Sequence, residues 1–198
     1  MIASDASARQ SALDRLMANA PFLARLAELN PDDVTRFLGE GADAALAAVA
    51  PPPVEDDIMR PLRQWRGRMA LLLALGDLSG EHDVAVTTRL LSDFADTACD
   101  IALAAAFAER VPDGEPRGLA VIALGKLGSH ELNYSSDIDP IFIYDPMTLP
   151  CRPREDAADA AQRIARQLID TMSQRDGNGY VFRMDLRLRP AAEVTPLA

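Results

Sequence analysis

At Gly118 the spacing of apolar residues changes its period, and that change constrains what this chain can fold into. Upstream, apolar residues recur every three or four positions, the rhythm of helices that each bury one face. Downstream they form a continuous run, Leu119 to Leu124, and later alternate with polar residues, as strands do. A chain that switches in this way has to pack helices against a small sheet. The expected fold is therefore α+β: a helical N-terminal leader over residues 1–112, then a domain over 113–198 with a small mixed sheet flanked by helices.

Within the leader, Leu13, Leu16, Met17, Leu23 and Leu26 mark a first helical stretch that Pro21 should break or kink. Asn30-Pro31-Asp32-Asp33 combines a capping side chain, proline at the first helical position and acids beside the positive helix end. Pro51 to Pro53 is a stiff spacer. Leu62, Trp65, Met69 and Leu72 then line one face of a long helix ending near Gly76 to Gly80. A last helix opens at Asp83 and carries Leu91, Phe94, Ala98, Ile101 and Ala105 until Val111-Pro112-Asp113-Gly114 stops it.

Past Gly118, the run Leu119 to Leu124 predicts a buried strand and Gly125-Lys126-Leu127-Gly128-Ser129 a turn, with a helical turn or short helix over His130 to Tyr134. A second strand is expected over Asp137 to Tyr144. Pro140 cannot donate a ladder hydrogen bond, which puts this strand at an edge or gives it a bulge. Residues 155–174 read as a helix closed by Asp176-Gly177-Asn178-Gly179. Tyr180 to Arg189 alternates: Val181, Arg183, Asp185, Arg187 and Arg189 fall on a polar face, and Tyr180, Phe182, Met184, Leu186 and Leu188 on a buried one.

Thirty acidic against twenty basic residues give a net charge of -10, a surface that repels nucleic acid on average. Cys99 and Cys151 are too few for a disulfide framework or a zinc site. No basic stretch followed by an apolar one opens the chain, and no apolar run approaches the ~18 residues of a membrane span, so a cytoplasmic protein without a membrane partner is expected.

The chemistry concentrates in GKLGSHELNYSSDIDPIFIYD, residues 125–145. On a strand, Asp137 and Asp139 point the same way, about 6 to 7 Å apart at the backbone. Two like charges so placed repel unless a divalent cation joins them, and hard oxygen ligands favour Mg2+, which is typically held by carboxylates together with phosphate oxygens. Gly125, Gly128 and Ser129 form a turn after a strand, where backbone N–H groups can approach a phosphate and Ser129 adds a hydroxyl. If the strand carrying Asp185 lies beside the one carrying Asp137 and Asp139, a third carboxylate completes a site for two ions, of the kind that clamps the attacking and leaving oxygens of an in-line displacement at phosphorus. Arg187 and Arg189 share the face of Asp185 and could contact phosphate or the nucleophile. Taken singly, each feature has a plainer reading: a solvated strand end, an ordinary turn, a wet strand face. Lys126, His130 and Glu131 read as decoration of the turn.

Gly-Ser followed by Asp-hydrophobic-Asp resembles the signature of the DNA polymerase beta-like nucleotidyltransferase superfamily. The stretch above, with VFRMDLRLRP downstream and the helical lead-in PLRQWRGRMALLLALGDLSG, resembles the family of bifunctional glutamine synthetase adenylyltransferase/adenylyl-removing enzymes. That family has two catalytic halves in a chain several times longer, so the resemblance implies a fragment holding one of them. A motif behind an all-helical leader is similar to the N-terminal, adenylyl-removing half, in which inorganic phosphate attacks adenylylated tyrosine of glutamine synthetase and ADP is released. By resemblance Asp137 and Asp139 are the metal pair, Asp185 the third carboxylate, and Gly128 with Ser129 the phosphate-contacting turn. Implied partners are adenylylated glutamine synthetase, ADP or ATP, and inorganic phosphate, with the PII signal protein reached through the full-length enzyme. Pro140 stands where an aliphatic residue is commoner in the family. Forward adenylylation from ATP, or a regulatory fragment that binds nucleotide or partner without turnover, are the rival expectations.

Overall fold

A computed structural model describes residues 2–55, 57–112 and 115–187, and both the helical and the extended parts expected from the change of period form. Six helices lead: α1 Ile2–Asn19, α2 Pro21–Leu29, α3 Pro31–Glu40, α4 Ala42–Ala47, α5 Met59–Ser79 and α6 Val84–Arg110. Pro21 and Pro31 each sit at the start of a helix, where a missing N–H costs nothing. Asn30 departs from expectation: its side chain does not cap α3 but donates back to the carbonyl of Leu26 at 2.8 Å, closing α2 instead. Asp33, besides lying in the first turn of α3, is buried and accepts two 2.7 Å hydrogen bonds from Arg68 of α5. Gly80, at φ +78, ends α5 in the left-handed conformation, and Asp83 caps α6 by accepting from the Val86 N–H at 2.8 Å.

α5 is the pillar of the molecule. Its sequence stripe predicts one buried face, yet Leu71 through Gly76 are buried consecutively, because other elements pack around its whole circumference there. One continuous core runs from Leu16 through Leu72 and Phe94 to Ile138, Leu168 and Phe182. Phe94 joins its parts: the Phe94 ring meets Trp65 at 4.6 Å between centroids and Phe182 at 5.4 Å. A smaller cluster, with Phe107, Leu149 and Ile164, fastens the end of α6 to α8, Ala157–Ser173.

β1, Leu119–Leu124, pairs antiparallel with β2, Asp139–Tyr144, in the register Leu124↔Asp139. The expectation of a buried β1 fails. Val121, Ala123 and Phe142 pack on the core, but on the opposite face Ile122 and Ile143 are 42% and 56% exposed, since no layer covers that face among the described residues. The helical turn also lies earlier than expected. It is α7, Gly125–Gly128, whereas residues 130–134 contain no helix; nearby, the Asn133 side chain accepts from the Ser135 N–H and the Ser136 hydroxyl.

The last segment is not a strand over its described length. It makes one parallel bridge to β2's leading edge, Ile138↔Met184, so the sheet is mixed in the smallest possible way. Ile138 uses both backbone groups toward it, donating to the Arg183 carbonyl at 3.0 Å and accepting from the Asp185 N–H at 2.8 Å. Two residues on, Pro140 faces the same segment without an N–H, so the ladder cannot continue. The predicted alternation also slips at its start: Val181 is buried along with Phe182, because both N–H groups donate to the Met172 carbonyl and wrap the chain over the end of α8. Asp113, Gly114, Leu188 and Arg189 lie outside the described residues.

Candidate active site

The single parallel bridge decides where the acidic residues stand. Ile138 and Met184 face the core, so Asp137, Asp139, Arg183 and Asp185 project from the opposite face of two adjacent extended segments. That is also the open face of the sheet, with Ile122 and Ile143 further along it. Asp139 pairs with Leu124 at the end of β1, which brings it over the start of α7. Gly125 is there in the left-handed conformation, φ +57, and a Cβ on it would lie 2.5 Å from Asp139 Oδ2. Only glycine lets the carboxylate and the turn share that space.

Two arginines hold the remaining carboxylates. Arg183 Nε donates to Asp137 Oδ1 at 2.5 Å, and its other nitrogens reach the Ser135 carbonyl at 2.9 Å and the Tyr180 hydroxyl at 3.2 Å. Arg187 grips Asp185 through Nε and Nη2, and the Arg187 backbone N–H donates to the same carboxylate at 3.0 Å. Those bonds to Arg187 lower the Asp185 carboxyl to about 2, and the paired carboxylates in turn push both guanidiniums above their ordinary range. Asp137 and Asp139 add to the field acting on Arg187, so the three acids and this arginine form one electrostatic unit.

The turn residues are explained in part by local structure. A Cβ on Gly128 would strike the Ala123 carbonyl at 2.6 Å, so this glycine serves the close packing of α7 on β1. The Ser129 hydroxyl folds back on its own turn, 3.3 Å from the carbonyls of Gly125 and Lys126 and 3.4 Å from Glu131. Lys126 and Glu131 are tied backbone to backbone at 2.8 Å, and His130, at φ +56, lies 3.7 Å from Asp93 of α6.

Among the described residues, no three His, Cys, Asp or Glu side chains stand grouped to hold a metal ion. The donor chemistry nevertheless fits a hard divalent cation: three carboxylates on one face of adjoining segments, with room made for Asp139 by a missing Cβ. The Asp137 and Asp185 side chains are instead turned toward guanidiniums, which supply positive charge there. Sequence reasoning took Arg183 for a wet strand residue. Its pairing with Asp137 depends on the parallel register, which no local signal reveals.

No described helix is long and apolar enough to cross a membrane. Residues 5–198 match the family described as glutamate-ammonia ligase adenylyltransferase. Three relatives carry the name bifunctional glutamine synthetase adenylyltransferase/adenylyl-removing enzyme. The one from Burkholderia mallei is 40% identical over 93% of this chain and 21% of its own length, and that from Rhizobium meliloti 37% identical over 100% and 22%. The third, from Xanthobacter autotrophicus, is 35% identical over 96% and 22%. This chain thus spans about a fifth of the length of the curated relatives it matches. It belongs to the glutamate-ammonia ligase adenylyltransferase family.

Proposed function

We propose that this chain carries a nucleotidyl-transfer site that removes AMP from an adenylylated tyrosine of glutamine synthetase by phosphorolysis. The observation that carries the reading is the Ile138↔Met184 bridge, which sets Asp137, Asp139 and Asp185 on one face of adjoining segments. Mg2+ bound by these three carboxylates would supply positive charge to the phosphoryl oxygens. In the reaction an oxygen of inorganic phosphate bonds to the phosphorus of the adenylyl group. The bond from that phosphorus to the tyrosine oxygen breaks, the phenolate leaves and takes up a proton, and ADP departs.

The residues divide the work. Asp137 and Asp139 would hold the ions, and Asp185 would complete the site and orient the nucleophile. Arg187 and Arg183, released from their carboxylates, are placed to bind phosphate oxygens, for which a planar fork of donors is suited. The turn from Gly125 through Gly128 to Ser129, which meets Asp139 at Gly125, would border the phosphate. Removal rather than addition of AMP follows the resemblance of the motif behind its helical leader to the adenylyl-removing half. By the same resemblance, the effector response would reach the PII protein through the longer enzyme.

The test is ADP release from adenylylated glutamine synthetase with phosphate and Mg2+, run beside AMP incorporation into the unmodified synthetase from ATP. Release should occur and incorporation should not. Asp137→Ala should abolish release while the melting temperature stays within a few degrees, because the lost ion pair with Arg183 is exposed. Turnover in the opposite direction alone, nucleotide binding with no turnover, or full activity in Asp137→Ala would each refute the assignment.

A further inference from the structure

Away from the carboxylates, the face of α5 bearing Arg66, Met69, Leu73 and Asp77 forms the floor of a cleft of about 380 Å³. Phe22 of α2, Phe94 of α6, and Phe182 wall it. The floor residues recur every three or four positions, so they lie in line, with Arg66 and Asp77 three turns apart, about 16 Å along the helix.

The two charged ends differ. Asp77 accepts a hydrogen bond from the Tyr134 hydroxyl at 3.1 Å, which occupies that end. The Arg66 guanidinium lies over two rings, 5.8 Å from the centre of Phe22 and 5.6 Å from that of Tyr180, and among the described residues no carboxylate pairs with it. Burial lowers the Arg66 guanidinium from its ordinary value, with Tyr180 acting in the opposite sense. Contact with two rings restricts the guanidinium, and its planar fork of donors suits a bidentate oxyanion.

We propose that this cleft binds a small organic anion, with a single carboxylate- or sulfonate-like group on Arg66 and an apolar, ring-sized body over Met69 and Ala70 between Phe22 and Phe94. The volume lies in the range of small-ligand pockets, about 300 to 1,000 Å³. Inorganic phosphate would leave the apolar walls unused, and a nucleotide polyphosphate would set several charges against one cation. The site is therefore separate from the nucleotidyl-transfer site and does not rest on that reading. The two are neighbours all the same, because Tyr180, whose ring lies under Arg66, also accepts from the Arg183 that holds Asp137.

The experiment titrates the chain with anilinonaphthalene sulfonate and with phenylnaphthylamine, the same ring system lacking the sulfonate, by fluorescence. One saturable site is expected, with the sulfonate dye bound more tightly. Arg66→Met should weaken the sulfonate dye about tenfold and leave the neutral one unchanged, the loss of one charge-assisted bond. Arg66→Lys should keep most of the preference. Ala70→Trp, which fills the floor, should remove binding of both dyes, with near-UV circular dichroism showing that each variant is folded. Equal affinity of the two dyes for the unaltered chain, which needs no variant, overturns the proposal, as does sulfonate binding that survives Ala70→Trp.

Discussion

Arg187 controls the charge state of Asp185 through three separate donors, and this makes the pair testable by itself. Arg187→Gln should raise the Asp185 carboxyl from about 2 toward the ordinary carboxylate value, near ~4, as a carbon-detected NMR titration would record. Because the folded-state value is depressed, the pair stabilises the protein above the unfolded value, and that contribution is lost as pH falls from ~4 through about 2. Acid unfolding of the unaltered chain should therefore depend on Asp185 in that window, and the variant, which keeps only the backbone N–H bond, should show a weaker dependence. Gly125→Ala tests the neighbouring carboxylate. Alanine at φ +57 costs about 1 to 2 kcal/mol, and its methyl group would displace Asp139. Chemical denaturation should report the first effect, and weaker binding of Mn2+, followed by electron paramagnetic resonance, the second. The acidic residues were legible in the sequence because a strand's period assigns Asp137 and Asp139 to one side whatever surrounds them. Arg183 and Arg66 were not. One owes its role to strand register, the other to a cleft assembled from four distant segments.

Among the elements, the third extended segment separates what local pattern can predict from what it cannot. Its alternation from Phe182 to Arg187 was readable, and so was the side on which Asp185 would fall. Its shortness was not, since that depends on Pro140 of a different segment meeting it without a donor. Pro140→Val should supply that donor and lengthen the ladder. The expected result is a slowly exchanging amide at position 140 in hydrogen-exchange NMR, where a rapidly exchanging one would show that something else ends the pairing. β1 was misjudged as buried because an unbroken aliphatic run looks the same whether one face or both are covered. Breaks at Pro21, Pro31 and Gly80 were legible because these residues act through their own backbone.

For the molecule as a whole, leader and sheet share one core, and Phe94 is where they meet. Phe94→Ala should cost about 3 to 5 kcal/mol, and the loss should appear in a single denaturation transition followed by helix signal and by Trp65 fluorescence alike. Two separate transitions would mean that the helices fold without the sheet. At this scale the α+β class and the order of elements came from the period change at Gly118, while the packing of helices around all sides of α5 did not, because consecutive buried residues such as Leu71 to Gly76 carry no directional stripe. The pairing of Asp137 with Arg183 and of Asp185 with Arg187 bears on how a cation would enter this site. Two of the three negative groups are already paired with internal cations, which leaves one excess negative charge, at Asp139, against which the chain folds. On the proposed reading, loading a metal would be an exchange of partners, and the guanidiniums set free would be on hand to meet the anion that arrives with it.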